Sequence, residues 1–426
     1  MTRSRLARNS FGTTRGRRVK ADHVEERAIV FFGHTPPDIH YTLFHREVAR
    51  ALGQKGWEVL WVSPPGINKN PRWWLSSARD RALEFAARGF RRAIRSPGAS
   101  LARARKRLAT VWRGDLLRED FFWDFRPWGV TLFKHPGFPP LDALAIRQMR
   151  RACGRLGMSR PRVLVYTPQE LPFVRRLDHG TTAFWVGDEA MYQVDAYAEL
   201  RALLEYVDLV FAISPVTFEQ VKRVCPSKVR RSGTGVVLSR FDAARVEVAS
   251  DLATLPGPIV GYAGAQGALR FDVELFCAAA RAIPEATFVL VGPADQVVAS
   301  DIMRRDLRNV LMLGPRPYAE LGSYVTAFDV ALVPYRVNDF NLGSNPLKVY
   351  EYLALGKPVV SVPLPAVEEL GEVVSIAAGH DQFIAAIRDA LHQDRSDLRT
   401  RRRAVAEAHS VERIVDGLIA AFEEGR

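Results

Sequence analysis

Short, unbroken apolar runs alternate with amphipathic helical stretches along most of this chain, and that alternation restricts it to parallel sheets covered by helices. Ala28-Ile29-Val30-Phe31-Phe32 and Val59-Leu60-Trp61-Val62 flank a helix predicted near 41–55, with Phe44, Val48 and Leu52 on one face. Further strands are predicted at 130–133, 163–166, 182–186 and 209–212. Leu255-Pro256-Gly257-Pro258 reads as a hinge, after which the pattern resumes. Strands at 259–262, 287–291, 310–313 and 330–333 are separated by helices near 271–282 and 318–326. No repeat of fixed period is present. The expected fold class is α/β: two Rossmann-like parallel-sheet domains joined by right-handed crossovers, facing each other across a cleft.

With 426 residues the chain can bury two cores, and 47% hydrophobic with 25% charged residues fits a globular protein. The expected organisation is a basic, disordered tail over 1–26, a first domain over 27–254 and a second over 259–400. A helical tail over 401–426 is expected to cross back to the first domain. No run of 18 uncharged apolar residues occurs, so no membrane-spanning helix is predicted. The tail carries Arg3, Arg5, Arg8, Arg15, Arg17, Arg18 and Lys20 without an apolar core behind them, unlike a secretory signal. Cys153, Cys225 and Cys277 are isolated and odd in number, which suggests a reducing, cytoplasmic compartment. Neither they nor the nine histidines show metal-ligand spacing, so no metal site is expected.

The net charge of +13 is uneven. From Gly66 to Arg118 there are 14 Lys/Arg against Asp80, Glu84 and Asp115, with Trp73, Trp74, Phe85, Phe90 and Trp112 interleaved. Basic amphipathic helices bearing aromatic residues bind anionic bilayer surfaces, so this insert is a candidate peripheral contact on the inner membrane face. A solvated basic helix over the first core is the plainer alternative. No nucleic-acid-binding signature accompanies the charge, and no specific nucleic-acid partner is expected.

The stretch Phe340–Pro358 carries the most chemistry. Ser344 and Asn345 are N-cap residue types, Pro346 suits a first helical position, and Gly356 sits where a C-terminal cap belongs. A helix starting there, after the strand at 330–333, offers free N–H groups and a positive dipole end to an anion. Lys348 and Glu351 lie one turn inside. A cation and a hydroxyl-binding carboxylate beside an anion site suit a sugar diphosphate, although an ordinary capped helix with a surface Lys and Glu has the same pattern.

Ser344–Ser361, SNPLKVYEYLALGKPVVS, resembles the donor-site helix of GT-B glycosyltransferases, the bacterial group that uses nucleotide sugars. Three further stretches resemble that family in order: Val207–Ser214 with Gly235-Val236 and Phe241, then Gly261–Ala265 with 283–292, then Asn309–Leu321. The resemblance implies a metal-independent transferase with no cofactor beyond a nucleotide diphosphate sugar as co-substrate. It places Gly264, Arg270, Gly314, Arg316, Ser344, Asn345, Lys348 and Glu351 at the donor. Two glutamates eight residues apart are usual in retaining members; Glu351 matches the second, but Gly343 stands at the first.

Ligands of open parallel sheets sit beyond the carboxyl ends of the strands. In the first domain those ends bring Gly33, His40 and Glu170 to the acceptor side, and Gly187-Asp188-Glu189 resembles a family position that makes Asp188 the candidate base. As a helix cap, Asp188 would have the same placement. The expected function is transfer of a sugar from a nucleotide diphosphate sugar to a hydroxyl of a glycan, a lipid-linked intermediate or an envelope polysaccharide. The alternatives are a nucleotide-sugar epimerase of the same fold and a non-catalytic sugar-nucleotide-binding scaffold.

Overall fold

The computed structural model describes residues 27–33, 43–62, 115–121, 123–126, 139–187, 197–392 and 396–424. The first sheet contains β1 (Ala28–Phe32), β2 (Glu58–Val62), β3 (Asp115–Arg118), β4 (Trp123–Arg126), β5 (Arg162–Val165), β6 (Thr182–Val186), β7 (Leu209–Ala212) and β8 (Val229–Arg231). Its order is β3-β4-β2-β1-β5-β6-β7-β8, and every pairing is parallel except that of the edge strand β3 with β4. The second sheet contains β9 (Ile259–Ala263), β10 (Thr287–Val291), β11 (Val310–Gly314), β12 (Val330–Val333), β13 (Val359–Ser361) and β14 (Ser375–Ile376). It is parallel throughout, in the order β11-β10-β9-β12-β13-β14.

The helices before the second sheet are α1 (Leu43–Gln54), α2 (Pro139–Arg155), α3 (Leu171–Val174), α4 (Tyr197–Tyr206) and α5 (Pro215–Lys222). Within and after it come α6 (Val273–Ala282), α7 (Gln296–Arg304), α8 (Leu321–Thr326), α9 (Asp339–Leu342), α10 (Leu347–Ala354), α11 (Pro365–Glu368) and α12 (His380–His392). Two more close the chain, α13 (Ser396–Ala408) and α14 (Val411–Glu424). Among the described residues no helix is long and apolar enough to cross a membrane.

Continuous apolar strands are what a sheet covered on both faces requires. Along β1 the side chains alternate between two cores: Val30 and Phe32 join Leu60, Phe184 and Met149 of α2, whereas Ile29 and Phe31 join Trp61, Trp185 and Val48 of α1. The second sheet has its own core around Val260, Leu290, Leu332 and Tyr352.

Two boundaries differ from expectation. The chain joins the second core well before the expected hinge, because Val236, Phe241 and Leu252 are buried in it. The crossing back begins not at 401 but after α13, which packs on α10 and whose Arg402 donates to the Gly356 carbonyl at 3.2 Å. The return is made at His409–Val411, where Val236 N–H donates to His409 O and Val411 N–H to Val236 O. Then α14 lays Ile414, Val415, Leu418 and Phe422 into the first domain's core, with the Phe422 ring 6.0 Å from that of Phe211. Each such buried side chain contributes roughly 1.5–3 kcal/mol, so the return helix is part of the first domain's core.

The tail over 1–26, the expected strand at 130–133 and most of the basic insert lie outside the described residues. The end of the insert, 115–118, forms β3.

Candidate functional site

The carboxyl ends of the second sheet's strands open onto a cavity of about 680 Å³ that is shared with the first domain. Its second-domain wall includes Gly264, Arg270, Arg316, Asn345, Lys348 and Glu351, and its first-domain wall is Phe44 and His45 of α1. This size suits a nucleotide or another drug-sized ligand.

At the start of α10 the expected caps are absent. Pro346 occupies the N-cap position without a side-chain bond, and Ser344 Oγ donates to Asn341 O at 2.7 Å. The side-chain amide of Asn345 donates to Ile213 O of the first domain at 2.9 Å, while Thr234 Oγ1 donates to the Asn345 carbonyl at 3.2 Å. Asn345 therefore joins the domains, and the side-chain cap in this stretch belongs to the preceding helix α9, where Asn338 Oδ1 accepts from Asn341 N–H at 2.9 Å. The amino end of α10 is left to meet the cavity with its backbone donors.

Lys348 enters from this turn and is half-buried. Its Nζ donates to Tyr262 Oη at 2.8 Å and Tyr335 Oη at 2.7 Å. Among the described residues no carboxylate lies within ion-pair distance of it, so two neutral hydroxyls are its only hydrogen-bonded partners there and one N–H is unused. Burial lowers its pKa below the ordinary lysine value, opposed by the Tyr335 hydroxyl. Burial alone would raise Tyr335, but the Lys348 and Arg270 charges outweigh it and the phenol is lowered. Gly264 makes room for the ammonium: its φ is +146°, and a Cβ there would stand 2.5 Å from Lys348 Nζ. Gly292 backs it, since a Cβ on that residue would stand 2.2 Å from Gly264 O.

Glu351, one turn further, is buried with Oε1 accepting from Tyr318 Oη at 2.7 Å. Burial raises its pKa, and the Tyr318 bond and Lys348 charge oppose the rise. Arg270 reaches the cavity with its guanidinium 4.7 Å from the Phe340 ring centre and 5.3 Å from that of Tyr335. Arg316 borders the cavity but is committed elsewhere, donating to Tyr324 Oη at 2.7 Å and Leu313 O at 2.6 Å and pairing with Asp251 at 3.3 Å. Gly314 is not on the wall; it turns the chain after β11 at φ +71°.

On the acceptor side, Gly33 lies against the Trp61 ring and away from the cavity. Glu170 is also turned away from it: the carboxylate caps a short 3₁₀ turn, accepting from Tyr166 N–H at 2.7 Å and Thr167 N–H at 3.2 Å. Its other oxygen has no partner among the described residues, and burial pushes its pKa up to about 8 against those two bonds. His40 and Asp188 lie outside the described residues. What the sequence reading missed is His45, whose ring sits edge-on to Tyr166 with centroids 4.2 Å apart, and the hydroxyls of Tyr262, Tyr318 and Tyr335. The signals present were the place of His45 in a strand-following helix and of Tyr262 and Tyr318 inside family-like stretches.

Residues 257–393 match the family model described as Glycosyl transferases group 1. The match falls on the second domain. TuaH of Bacillus subtilis (strain 168), described as a candidate teichuronic acid biosynthesis glycosyltransferase, is 30% identical over 210 residues. That match covers 46% of this chain and 51% of TuaH, so the chain spans about half the length of this curated relative. Among solved structures, sucrose-phosphate synthase of Thermosynechococcus elongatus superposes with a TM-score of 0.65 at 16% identity, covering 93% of this chain and 98% of that one. HepE of Anabaena, in complex with UDP and glucose, gives 0.63 at 14% identity over 93% and 100%. The Escherichia coli trehalose-6-phosphate protein bound to UDP-2-fluoro glucose gives 0.62 at 12% over 92% and 98%. At these identities the likeness establishes the fold, GT-B, over both domains of the chain.

The buried Glu170 makes stability depend on pH. A carboxyl whose folded pKa is near 8 holds a proton that the unfolded chain releases near 4.3. Its stabilisation is whole below pH 4.3 and is lost as the pH rises towards and through 8, at up to about 1.4 kcal/mol per pH unit. Melting from pH 4.5 to 8 should show this protein losing stability relative to Glu170→Gln. Parallel profiles would show that Glu170 is ionised in the folded state.

Proposed function

We propose that this protein is a glycosyltransferase that moves a sugar from a nucleoside diphosphate sugar to a hydroxyl of a growing glycan. The observation that carries this reading is Lys348. Half-buried against two phenols, with no carboxylate at ion-pair distance among the described residues, its ammonium is stabilised when an anion joins it. Lys348 lies beside the uncapped amino end of α10 and against the bare backbone of Gly264, where a diphosphate can approach closely. Glu351, held by Tyr318, is placed to accept from the ribose hydroxyls.

In the reaction the acceptor oxygen bonds to the anomeric carbon as the bond from that carbon to the diphosphate breaks. The hydroxyl proton passes to a base, and the nucleoside diphosphate leaves with the electron pair. Lys348 and the α10 amides stabilise the charge developing on it. His45, on the opposite wall, and Asp188, two residues after β6 in the sequence, are the candidate bases. With Gly343 in place of a glutamate, the donor sugar is gripped by other groups on this wall. Arg270, whose guanidinium reaches this wall over the Tyr335 and Phe340 rings, is a candidate for that role.

The name of TuaH supports an envelope polysaccharide as the acceptor's destination. That chemistry takes place at a membrane, and the basic, aromatic insert over 66–118 would hold the first domain there by charge and by ring insertion. Co-sedimentation with vesicles tests this: binding to acidic vesicles that falls with salt is expected, and equal partitioning into neutral ones would refute it.

For the donor site, Glu351→Ala is expected to weaken nucleoside diphosphate binding by roughly 1.5–3 kcal/mol, the range for a hydrogen bond to a charged group. Calorimetry on the folded variant checks it. Unchanged affinity would remove Glu351 from the nucleotide site.

A further inference from the structure

A chain of contacts leads from Glu351 out of the second domain and into helix α1 of the first. Tyr318 donates to Glu351, and its ring packs edge-on against Phe241, centroids 5.9 Å apart. The Arg240 guanidinium lies over the same ring, 5.4 Å from its centre. Arg240 belongs to the second domain's shell, since its carbonyl is packed so closely on Gly322 that a Cβ there would come within 2.3 Å. Yet Arg240 Nη2 donates to Glu47 Oε1 at 2.8 Å, and Glu47 is on α1, two residues after His45. The Glu47 side chain is only 7% exposed, and its second oxygen faces Arg50 Nε of the same helix at 3.4 Å.

We propose that Arg240 is a positioning residue: paired with Glu47, it fixes α1 and its His45 relative to the nucleotide carboxylate Glu351, so that nucleotide occupancy and the placement of the acceptor wall are coupled. This rests on the reading that Glu351 binds the nucleotide. Neither Arg240 nor Glu47 is on the cavity wall, so neither acts by touching the ligand. Tyr318 has one proton and gives it to Glu351, and the face of its ring is held by Arg240. A ribose bound at Glu351 fixes Tyr318 and Arg240, and Arg240 fixes α1. The coupling is reciprocal: an α1 held by Glu47–Arg240 keeps Glu351 oriented for the nucleotide.

The test uses the full chain and whichever of uridine, guanosine, adenosine or thymidine diphosphate binds it most tightly. Affinity is measured by calorimetry and amide hydrogen exchange of α1 is followed with and without the nucleotide. Bound nucleotide should slow exchange in α1. Arg240→Met and Glu47→Gln should each weaken binding at least about five-fold, the low end of measured couplings, and abolish the slowing in α1. The double variant, which leaves no unpaired buried charge, should be no worse than the weaker single one, because the two act as a pair. Arg240→Lys should recover part of both effects. Nucleotide-dependent protection of α1 that survives in the folded double variant would make the pair a static surface contact and overturn the inference, leaving the donor site intact. No diphosphate binding by the unaltered protein would overturn the donor site, and the inference with it.

Discussion

A half-buried ammonium with no carboxylate at ion-pair distance among the described residues is the constraint around which this wall of the cavity is arranged. Lys348 has lost part of its water and gained two phenol oxygens, at 2.8 and 2.7 Å, from Tyr262 and Tyr335. Neutral hydroxyls do not neutralise charge, Glu351 acts on it only from beyond ion-pair distance, and withdrawing a cation from water without a close counter-charge is costly. The surroundings reduce the cost with dipoles and leave one donor for an anion. Nearly every special feature of the site follows from that. Glycine is required at 264 because a Cβ would collide with Nζ, and at 292 because the backbone of 264 leaves no space behind it. The amino end of α10 goes without a side-chain cap, which leaves its donors open to the cavity.

The fold supplies the other wall. Helix α1 lines the cavity opposite the strand ends of the second sheet, and the return of α14 into the first domain's core ties the chain's end to α1 through packing and through Lys55 and Asp416 at 2.7 Å. The domains are also joined at the site's rim, by the Asn345 amide on Ile213 O and by the forked pair of Arg231 with Glu369 at 2.9 and 2.6 Å. A site built across such a junction is sensitive to how the two halves sit.

Much of this was legible in the sequence, and the failures have physical causes. Strands buried on both faces announce themselves as apolar runs, so β6, β7, β10 and β12 fall where the pattern puts them. Lys348 and Glu351 were legible because helical spacing fixes which residues share a turn. Cap chemistry was not: Ser344 and Asn345 are cap residue types, but Ser344 bonds back to Asn341 at the end of α9 and Asn345 reaches the tertiary partner Ile213. Glu170 reads as an acid at a strand end, yet a capping box turns it inward. Arg316 reads as a phosphate clamp, yet Tyr324, Leu313 and Asp251 already hold it. The three tyrosines around Lys348 and Glu351 come from β9, a 3₁₀ turn after β11 and the turn after β12, and only the folded chain brings them together. The boundary near 236 was hidden for a similar reason, since Val236, Phe241 and Leu252 belong to a core whose other members come later in sequence.

The account stands most directly on what Lys348 is for, and a comparison of phosphate number tests it. Calorimetric affinities for matched nucleoside mono- and diphosphates should differ by at least about ten-fold in favour of the diphosphate, equivalent to about 1.4 kcal/mol. Lys348→Met should remove most of that difference while leaving the monophosphate little changed. A diphosphate bound no more tightly than the monophosphate, or a diphosphate affinity that survives Lys348→Met, would contradict the account.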